Sequence, residues 1–377
     1  EEVSKKFLWS LIGVMAIVSL LVVGCAPDTA PPPDNGNGDE PPDENGDDNG
    51  TPSQPTDETF DLIGQSHAGG ITQQHASLTR VAEEIEAASD GRLQMQVEVG
   101  GGIAPATEEF QAVDSGTLDF AVTCFMYWRD QFPSCGLFTM VSGGMTPMEA
   151  MSWFREGGGS ELANEMIEGS DVHIVKNGGW MGPPEAFLQT NVELNTVDDL
   201  DGLQIRGAGD AAEILSRLGA GMVMMPAGEV FEAMERGVID AFEVASPTLN
   251  WDLGLQEAAD YLYLSGVRQP YEYNPFIINQ GVWNDLPDDL KAIVEQVNEA
   301  ETIRAYDELL RLDLESIAKF EDYGTEVLRV PEELEEGYTA EAEDFYEEVA
   351  AEDEFRGRVL DSYWSWQDQL RSVWPKL

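Results

Sequence analysis

The sequence predicts an α/β protein made of two lobes of similar construction. Short apolar runs alternate with amphipathic stretches that end at glycine, which is the pattern of strands alternating with helices in a parallel sheet. One helix–strand unit also occurs twice along the chain. With 377 residues, the chain is long enough to bury a core in each lobe.

The alternation is clearest from Leu203 to Gly254. A strand ends at Arg206, and helices are predicted over about 210–218 and about 227–236. A further strand starts at Val238, and its end presents Glu243. Because strand ends and helix N-termini line a crevice in such sheets, Arg206 and Glu243 are the first candidates for a binding site.

The repeated unit supports the two-lobe interpretation. Residues 108–119 (EEFQAVDSGTLD) match residues 229–240 (EVFEAMERGVID) at a constant spacing of 121 positions. In each copy a helix buries Phe and Ala, a glycine ends it, and an apolar strand follows. We therefore expect each lobe to contain one such core.

The flanking elements follow the same patterns. Before the first repeat, strands are predicted at 60–66 and 93–97 with a helix over 73–88 between them. Near the C-terminus, Pro287 and the acids after it favour the start of a long helix that reaches about residue 320. A short strand over 326–330 and acidic helices follow. The tryptophans of the last helix are expected to pack it onto the body: Trp364, Trp366 and Trp374.

The N-terminus is typical of an exported, anchored protein. A basic pair precedes the apolar run Phe7–Val23, and small residues lead to Cys25. The pattern resembles a bacterial lipoprotein signal peptide over 1–25, with Cys25 as the lipid-bearing residue; a membrane helix is the alternative, for which the run is short. Residues 26–59 are predicted to be a disordered acidic linker, with a metal-binding acidic tail as the alternative.

The charge excludes several classes of partner. The chain carries 72 acidic and 20 basic residues, a net charge of −52. Nucleic acid and anionic membrane surfaces would be repelled. At about 1 M salt the electrostatic screening length is about 3 Å, so the repulsion between the many acidic side chains is weak. The large negative charge therefore indicates adaptation to a saline environment.

No catalytic motif is present in the sequence. His67, His75 and His173 do not have metal-ligand spacing, and neither a nucleophile elbow nor a phosphate-loop lysine occurs. The spacing of Cys124 and Cys135 leaves a disulfide open.

Two exported α/β lobes suggest a solute-binding protein that closes on its ligand. The sequence is similar to the solute-binding subunits of tripartite ATP-independent periplasmic (TRAP) transporters, in the branch that binds 2-oxo acids, lactate and related monocarboxylates. The segments that carry the resemblance are FMYW at 125–128, WF at 153–154 before GGG at 157–159, DLDGLQIR at 199–206, PAGEVF at 226–231 and ERGVIDA at 235–241.

The resemblance implies a type II-like periplasmic binding protein with hinge strands and a long C-terminal helix bracing both lobes. Lobe I would comprise 60–170 plus about 267–300, and lobe II 171–266 plus about 301–377. It further implies that the protein delivers its ligand to the small and large membrane subunits of a permease, without catalysis. A sensor for a signalling receptor and an extracytoplasmic enzyme acting on a carboxylic acid are the alternatives.

The resemblance also implies site residues. Arg206 matches the family's arginine that binds the substrate carboxylate. The planar guanidinium suits this role, because it can form two hydrogen bonds with a planar carboxylate. Glu243 beside an anion implies a cation between them, Na⁺ or Ca²⁺, held also by the carbonyl of Val244 and by an upstream side chain. Gln269 is a weaker candidate ligand. A surface arginine and a capping glutamate are the alternatives for Arg206 and Glu243.

The remaining candidates are less specific. Glu185 is interpreted either as a second acidic metal ligand, which favours a divalent ion, or as the partner of a substrate hydroxyl. Tyr127 and Trp128 are expected to form the wall of the site and a hydrogen bond to the ligand, with Trp180 as a further wall residue. Ordinary core packing is the alternative for these aromatic residues.

Overall fold

The computed structural model describes residues 58–70 and 72–374. The signal peptide predicted for 1–25, its Cys25 and the linker as far as residue 57 lie outside the described residues. Within the described part, no helix is long and apolar enough to cross a membrane.

Eleven strands and twelve α-helices are found in the described residues. The strands are β1 (Phe60–Ser66), β2 (Leu93–Glu98), β3 (Phe120–Val122), β4 (Val172–Gly182), β5 (Ala186–Thr190), β6 (Gln204–Arg206), β7 (Gly221–Val223), β8 (Ala241–Phe242), β9 (Tyr261–Leu264), β10 (Glu272–Asn279) and β11 (Glu326–Arg329). The helices are α1 (Gln73–Ala88), α2 (Glu109–Asp114), α3 (Gly136–Thr139), α4 (Pro147–Glu156), α5 (Gly159–Met166), α6 (Gly209–Arg217), α7 (Val230–Glu235), α8 (Pro247–Asp252), α9 (Gln280–Asp285), α10 (Asp288–Tyr323), α11 (Glu332–Glu352) and α12 (Glu354–Val373).

The strands form two sheets with the same internal plan. The first has the order β2-β1-β3-β10-β4 and the second β11-β9-β5-β8-β6-β7. In the first, β1 is parallel to β2 and β3, and β10 is antiparallel to β3 and β4. In the second, β6 is parallel to β7 and β8, and β5 is antiparallel to β8 and β9. Each sheet thus has three parallel strands followed by an antiparallel one, which confirms the α/β class.

The internal repeat corresponds to equivalent elements of the two sheets. Helices α2 and α7 start at residues 109 and 230, and strands β3 and β8 start at residues 120 and 241, so both pairs are offset by 121 positions. Gly116 and Gly237, which follow the two helices, have φ values of 72° and 64°. That left-handed conformation favours glycine, so the same residue ends both helices for the same steric reason.

Two short crossing segments, residues 183–185 and 265–271, carry the chain between the sheets, and α9 with α10 makes a third, longer crossing from β10 to β11. Strand β4 pairs with β10 and therefore extends the first sheet. The boundary predicted at residue 170 assigned this strand to lobe II, and the observed pairing corrects it. Strand composition does not reveal the partner strand, and β10 lies about ninety residues further along the chain.

The last helix, α12, packs on α4 and α5 beside the first sheet. The Tyr363 hydroxyl accepts a hydrogen bond from the Met145 amide at 2.7 Å, and Trp153 Nε1 donates to Ser362 Oγ at 3.1 Å. Helix α12 also packs on α11, which contacts α6 beside the second sheet, so the predicted assignment of residues after about 301 to lobe II stays a prediction. The other lobe boundaries remain predictions.

The C-terminal tryptophans differ in their environments. Trp364 and Trp366 are partly buried against the main apolar core, as expected. Trp374 is 61% exposed, so the prediction that it packs the last helix onto the body is wrong. It lies just beyond the end of α12, where the helix no longer directs its side chain toward the core.

The long helix α10 contacts both sheets, as the resemblance implied. It packs on α1 and β4 beside the first sheet and on α8 and β11 beside the second. On one side Glu301 pairs with Arg80 at 2.6 Å, and on the other Asp313 accepts from the Thr248 amide at 2.9 Å. Its 36 residues correspond to a length of about 54 Å, enough to span two lobes.

Cys124 and Cys135 are both buried and free. Burial raises the pKa of both thiols, that of Cys135 to about 12. They therefore stay protonated at neutral pH and pack as small apolar side chains.

Glu109 is a fully buried carboxyl in the first lobe. Its Oε1 accepts from Gln65 Nε2 at 2.7 Å, whereas Oε2 makes no hydrogen bond of normal geometry. Burial raises the pKa of Glu109 to about 8, and hydrogen bonding to Gln65 and Thr123 opposes this only in part. The carboxyl is therefore largely protonated in the folded protein at neutral pH.

We expect Glu109→Gln to reduce the loss of stability as the pH rises. Because the folded-state pKa of Glu109 lies above its unfolded value of about 4.3, its stabilising contribution is fully present below that value and is lost as the pH passes about 8. Glutamine mimics the protonated acid and does not ionise. Urea unfolding at about pH 5 and about pH 9 should show a smaller fall in the free energy of unfolding for the variant than for the wild type. Exposed Glu108→Gln is the control, and equal falls in E109Q and wild type would contradict the prediction.

Candidate ligand-binding site

A cavity of about 180 Å³ lies where the ends of β6 and β8 meet the two crossing segments. It is lined by all five residues predicted to hold a carboxylate or a cation: Arg206, Glu185, Glu243, Val244 and Gln269. The first lobe contributes Met126, Thr139, Met140 and Glu272. The fold thus brings the polar candidates together, and their roles remain predictions.

A larger, open cavity of about 700 Å³ lies on another side of the crossing segments, against α10 and the start of α11. Five acidic side chains line it, and Arg329 is its one basic residue among those described. That charge pattern suits a small anion poorly, so we place the candidate site in the smaller cavity.

Arg206 ends β6 and is held in place by backbone carbonyls. Its Nε donates to the carbonyl of Met225 at 3.1 Å, and Nη1 donates to the carbonyl of Glu243. Nη1 also lies 3.8 Å from Glu243 Oε1. Within the described residues Nη2 has no hydrogen-bond partner, so one side of the guanidinium fork remains available to a ligand.

Arg268 joins the two predicted acids and was not predicted as a site residue. Its Nη1 donates to Glu243 Oε2 at 3.0 Å, and its Nη2 donates to Glu185 Oε2 at 2.8 Å. Its Nε and Nη2 also donate to the carbonyls of Ala186 and Phe187, and Nη1 donates to Gln269 Oε1 at 3.4 Å. Only 1% of the arginine is exposed. Its acidic partners lie 25 and 83 positions away in the chain, so no local pattern could have identified it.

Glu243 and Glu185 lie on either side of this arginine. Glu243 Oε1 accepts from the Ala208 amide at 2.7 Å, at the residue that precedes α6. Burial raises the pKa of Glu185 to about 8; Arg268 opposes this shift, while Glu243 and Glu272 add to it. One guanidinium does not fully offset two neighbouring carboxylates.

Glu272 is a third acid in the cavity and was also missed. It is the first residue of β10, and its Oε1 accepts from Asn274 Nδ2 at 3.4 Å. Burial raises its pKa. In the described part of the chain, no Arg, Lys or His lies within ion-pair distance of it. Its sequence context, a strand start among tyrosines, gave no signal that it lines a cavity.

The aromatic residues predicted for the wall do not line this cavity. Trp128 is 1% exposed, with its ring centroid 4.7 Å from that of Phe110. Trp180 is 3% exposed within the core around α1 and α10. Tyr127 is 41% exposed and meets the ring of His67 edge-on. Core packing accounts for the two tryptophans, because their large apolar surfaces gain most from burial.

The donor set suits Na⁺ or Ca²⁺ chemically. The side chains of Glu185, Glu243 and Gln269 and the carbonyl of Val244 supply oxygen atoms, which these hard cations prefer. Across the described residues, no three His, Cys, Asp or Glu side chains are already arranged as a metal centre. The fit therefore rests on donor chemistry.

Two α/β lobes joined by crossing segments around a small charged cavity define a solute-binding protein. Residues 64–353 match the family described as bacterial extracellular solute-binding protein, family 7 (DctP), and the chain belongs to this family.

Several known proteins are similar over most of their length. A monocarboxylate 2-oxoacid-binding periplasmic protein of Nostoc sp. is 25% identical over 290 residues, 77% of this chain and 79% of the relative. A TRAP periplasmic solute-binding protein from Colwellia psychrerythraea, solved with bound calcium and pyruvate, is 27% identical with a TM-score of 0.75, covering 84% of this chain and 96% of that chain. One from Pseudoalteromonas atlantica, solved with sodium and pyruvate, is 25% identical with a TM-score of 0.73 and the same coverage.

These similarities confirm the resemblance to TRAP solute-binding subunits and the two-lobed fold class. The protein is a solute-binding component of transport that acts outside the cytoplasm. A receptor-coupled sensor and an extracytoplasmic enzyme gain no support from them.

Proposed function

We propose that the protein captures a small 2-oxo- or 2-hydroxy-monocarboxylate, together with Na⁺ or Ca²⁺, in the cavity at Arg206. The bound ligand stabilises a closed state that delivers it to the small and large membrane subunits of a TRAP permease. The observation that carries the proposal is the Nη2 of Arg206, which has no hydrogen-bond partner among the described residues and lies at a cavity that also holds oxygen donors for a cation.

The cavity volume supports a ligand of few atoms. Pockets for drug-sized molecules measure about 300–1,000 Å³, whereas this cavity measures about 180 Å³. A carboxylate of three or so carbons fits such a space, and a guanidinium that is already oriented binds it with little loss of conformational freedom.

The charges support a bridging cation. A bound cation would hold Glu185, Glu243 and Glu272 ionised, against the raised pKa values of Glu185 and Glu272. In that state the three carboxylates exceed Arg206 and Arg268 by one negative charge, and a carboxylate ligand raises the excess to two. A divalent ion would cancel that excess, so we expect Ca²⁺ to serve better than Na⁺. The calcium and the sodium found with pyruvate in the two similar crystal structures support a cation of this kind.

We also propose that the N-terminus attaches the protein to the membrane. Lipid on Cys25 would anchor the protein to the membrane, and residues 26–59 would connect this anchor to the binding lobes. Such a linker leaves the binding lobes free to reach a permease. We expect cells to incorporate a labelled fatty acid into the wild-type protein and not into the Cys25→Ser variant.

A thermal-shift screen tests the binding proposal. We expect lactate or pyruvate to raise the melting temperature when Ca²⁺ is present, and to do so less in Na⁺ alone or after chelation. A ligand at about 100 times its dissociation constant adds about 2.7 kcal/mol to the free energy of unfolding. Lactamide, which lacks the carboxylate charge, is the matched control ligand. The proposal fails if no monocarboxylate raises the melting temperature, or if lactamide does so equally well.

A further inference from the structure

Glu272 is the one charged side chain that the first lobe contributes to the cavity, among the residues described. It pairs through its backbone with Gly182 at the end of β4, and its first-lobe neighbours in the wall are Met126, Thr139 and Met140. The arginine and the other acids come from the second sheet and the crossing segments. Closure on a ligand would therefore bring Glu272 against the guest from the side opposite Arg206.

Its carboxyl differs from the two other acids that line the cavity, because among the described residues no cation pairs with it. Glu185 and Glu243 share Arg268. For Glu272 the described residues provide one long hydrogen bond, from Asn274 Nδ2 at 3.4 Å. A poorly satisfied acid that lines a cavity is stabilised by a guest that completes its hydrogen bonding.

A hydroxyl and a keto oxygen differ in what they offer such an acid. A hydroxyl donates to an ionised carboxylate and accepts from a protonated one. A keto oxygen can only accept, so it needs Glu272 to carry a proton. A 2-hydroxy acid can therefore form a hydrogen bond with Glu272 in either protonation state, whereas a 2-oxo acid can do so only when Glu272 is protonated. Burial raises the pKa of Glu272, so the preference for a hydroxyl is greatest at high pH, where the carboxyl is ionised.

We infer that Glu272 is a specificity-determining residue that makes the site prefer a 2-hydroxy-carboxylate to the corresponding 2-oxo-carboxylate. The inference rests on the proposed function and narrows its ligand class. In the closed state Arg206 holds the carboxylate, and the hydroxyl on the neighbouring carbon meets Glu272.

Lactate and pyruvate form a matched pair, because they share a carbon skeleton and differ at the second carbon. Binding is measured by isothermal titration calorimetry at about pH 8 with Ca²⁺ present. We expect the wild type to bind lactate about tenfold or more tightly than pyruvate, because one hydrogen bond to a charged group contributes a free energy that corresponds to at least this ratio of dissociation constants. In Glu272→Gln the ratio should fall to near one, because an amide donates to a keto oxygen and accepts from a hydroxyl. Glu326→Gln, also the first residue of a strand but exposed, should keep the wild-type ratio.

The outcomes separate the inference from the proposed function. If the wild type binds both acids without preferring lactate, or if E272Q keeps the wild-type ratio, the role of Glu272 is overturned while carboxylate binding stands. If the wild type binds neither acid, both are overturned. The wild-type ratio needs no substitution, so it tests the inference even if the variant fails to fold.

Discussion

Arg206→Ala is expected to abolish most of the affinity for a small carboxylate. Removing one partner of a desolvated charge pair costs about 2–5 kcal/mol, which corresponds to a loss of about 30-fold to several thousand-fold. The ligand carboxylate would otherwise remain in a small cavity beside three acidic side chains, so the upper part of that range is expected. Calorimetry on the purified protein in the presence of Ca²⁺ is the direct measurement.

Two further variants make this result specific. Arg206→Lys keeps the charge but loses the planar fork, and should recover only part of the affinity. Arg236→Ala removes an arginine that is 72% exposed on the same lobe and pairs with Glu232 on the surface. It should bind like the wild type. Equal losses in the Arg206 and Arg236 variants would show that general electrostatics, and not a clamp at residue 206, attract the ligand.

Arg268→Met is expected to lower the free energy of unfolding by about 3–5 kcal/mol, the usual cost of leaving a buried charge without its partner. The arginine holds Glu185 at 2.8 Å and Glu243 at 3.0 Å, and methionine would leave both acids and the Ala186 carbonyl without these donors. Because Arg268 and Glu185 lie in different crossing segments, the pair also ties the two crossings together. Urea unfolding monitored by fluorescence gives the change.

The mechanism can be checked by adding a second substitution. Glu185→Gln in the R268M background should recover part of the loss, because the uncompensated acid is then neutral. Arg155→Met removes an arginine that is 53% exposed and pairs with Glu299, and should change the free energy of unfolding by no more than about 1 kcal/mol. An R268M protein that unfolds at the wild-type urea concentration would mean that solvent already screens the two acids.

The repeat shows how far local sequence patterns determine the fold. The same short sequence pattern produces helices α2 and α7 and the strands after them. It consists of an apolar helix face, a glycine and an apolar strand. Each step depends on neighbours within a few residues, so it can be predicted from the sequence. The positions of Arg206 and Glu243 at adjacent strand ends follow from the same pattern.

Other features depend on residues distant in the chain. The sheet to which β4 belongs is set by its pairing with β10, and the site of α12 by contacts with α4 and α5. The burial of Trp128 and Trp180 was likewise open, since an aromatic residue near the end of a strand or in the turn after it can face a core or a cavity. Such choices are made by packing between elements, and the sequence of either element alone does not contain them.

The sequence by itself determined the α/β class, the internal repeat, the family resemblance and the candidates Arg206 and Glu243. Each of these depends on patterns formed by residues close together in the chain. Only the tertiary structure decided that Arg268 pairs with Glu185 and Glu243 and that Glu272 lines the cavity with no cationic partner among the described residues. The physical reason is that a charge in a protein interior is governed by the nearest opposite charges and by burial. Both are set by the folding together of segments far apart in the chain.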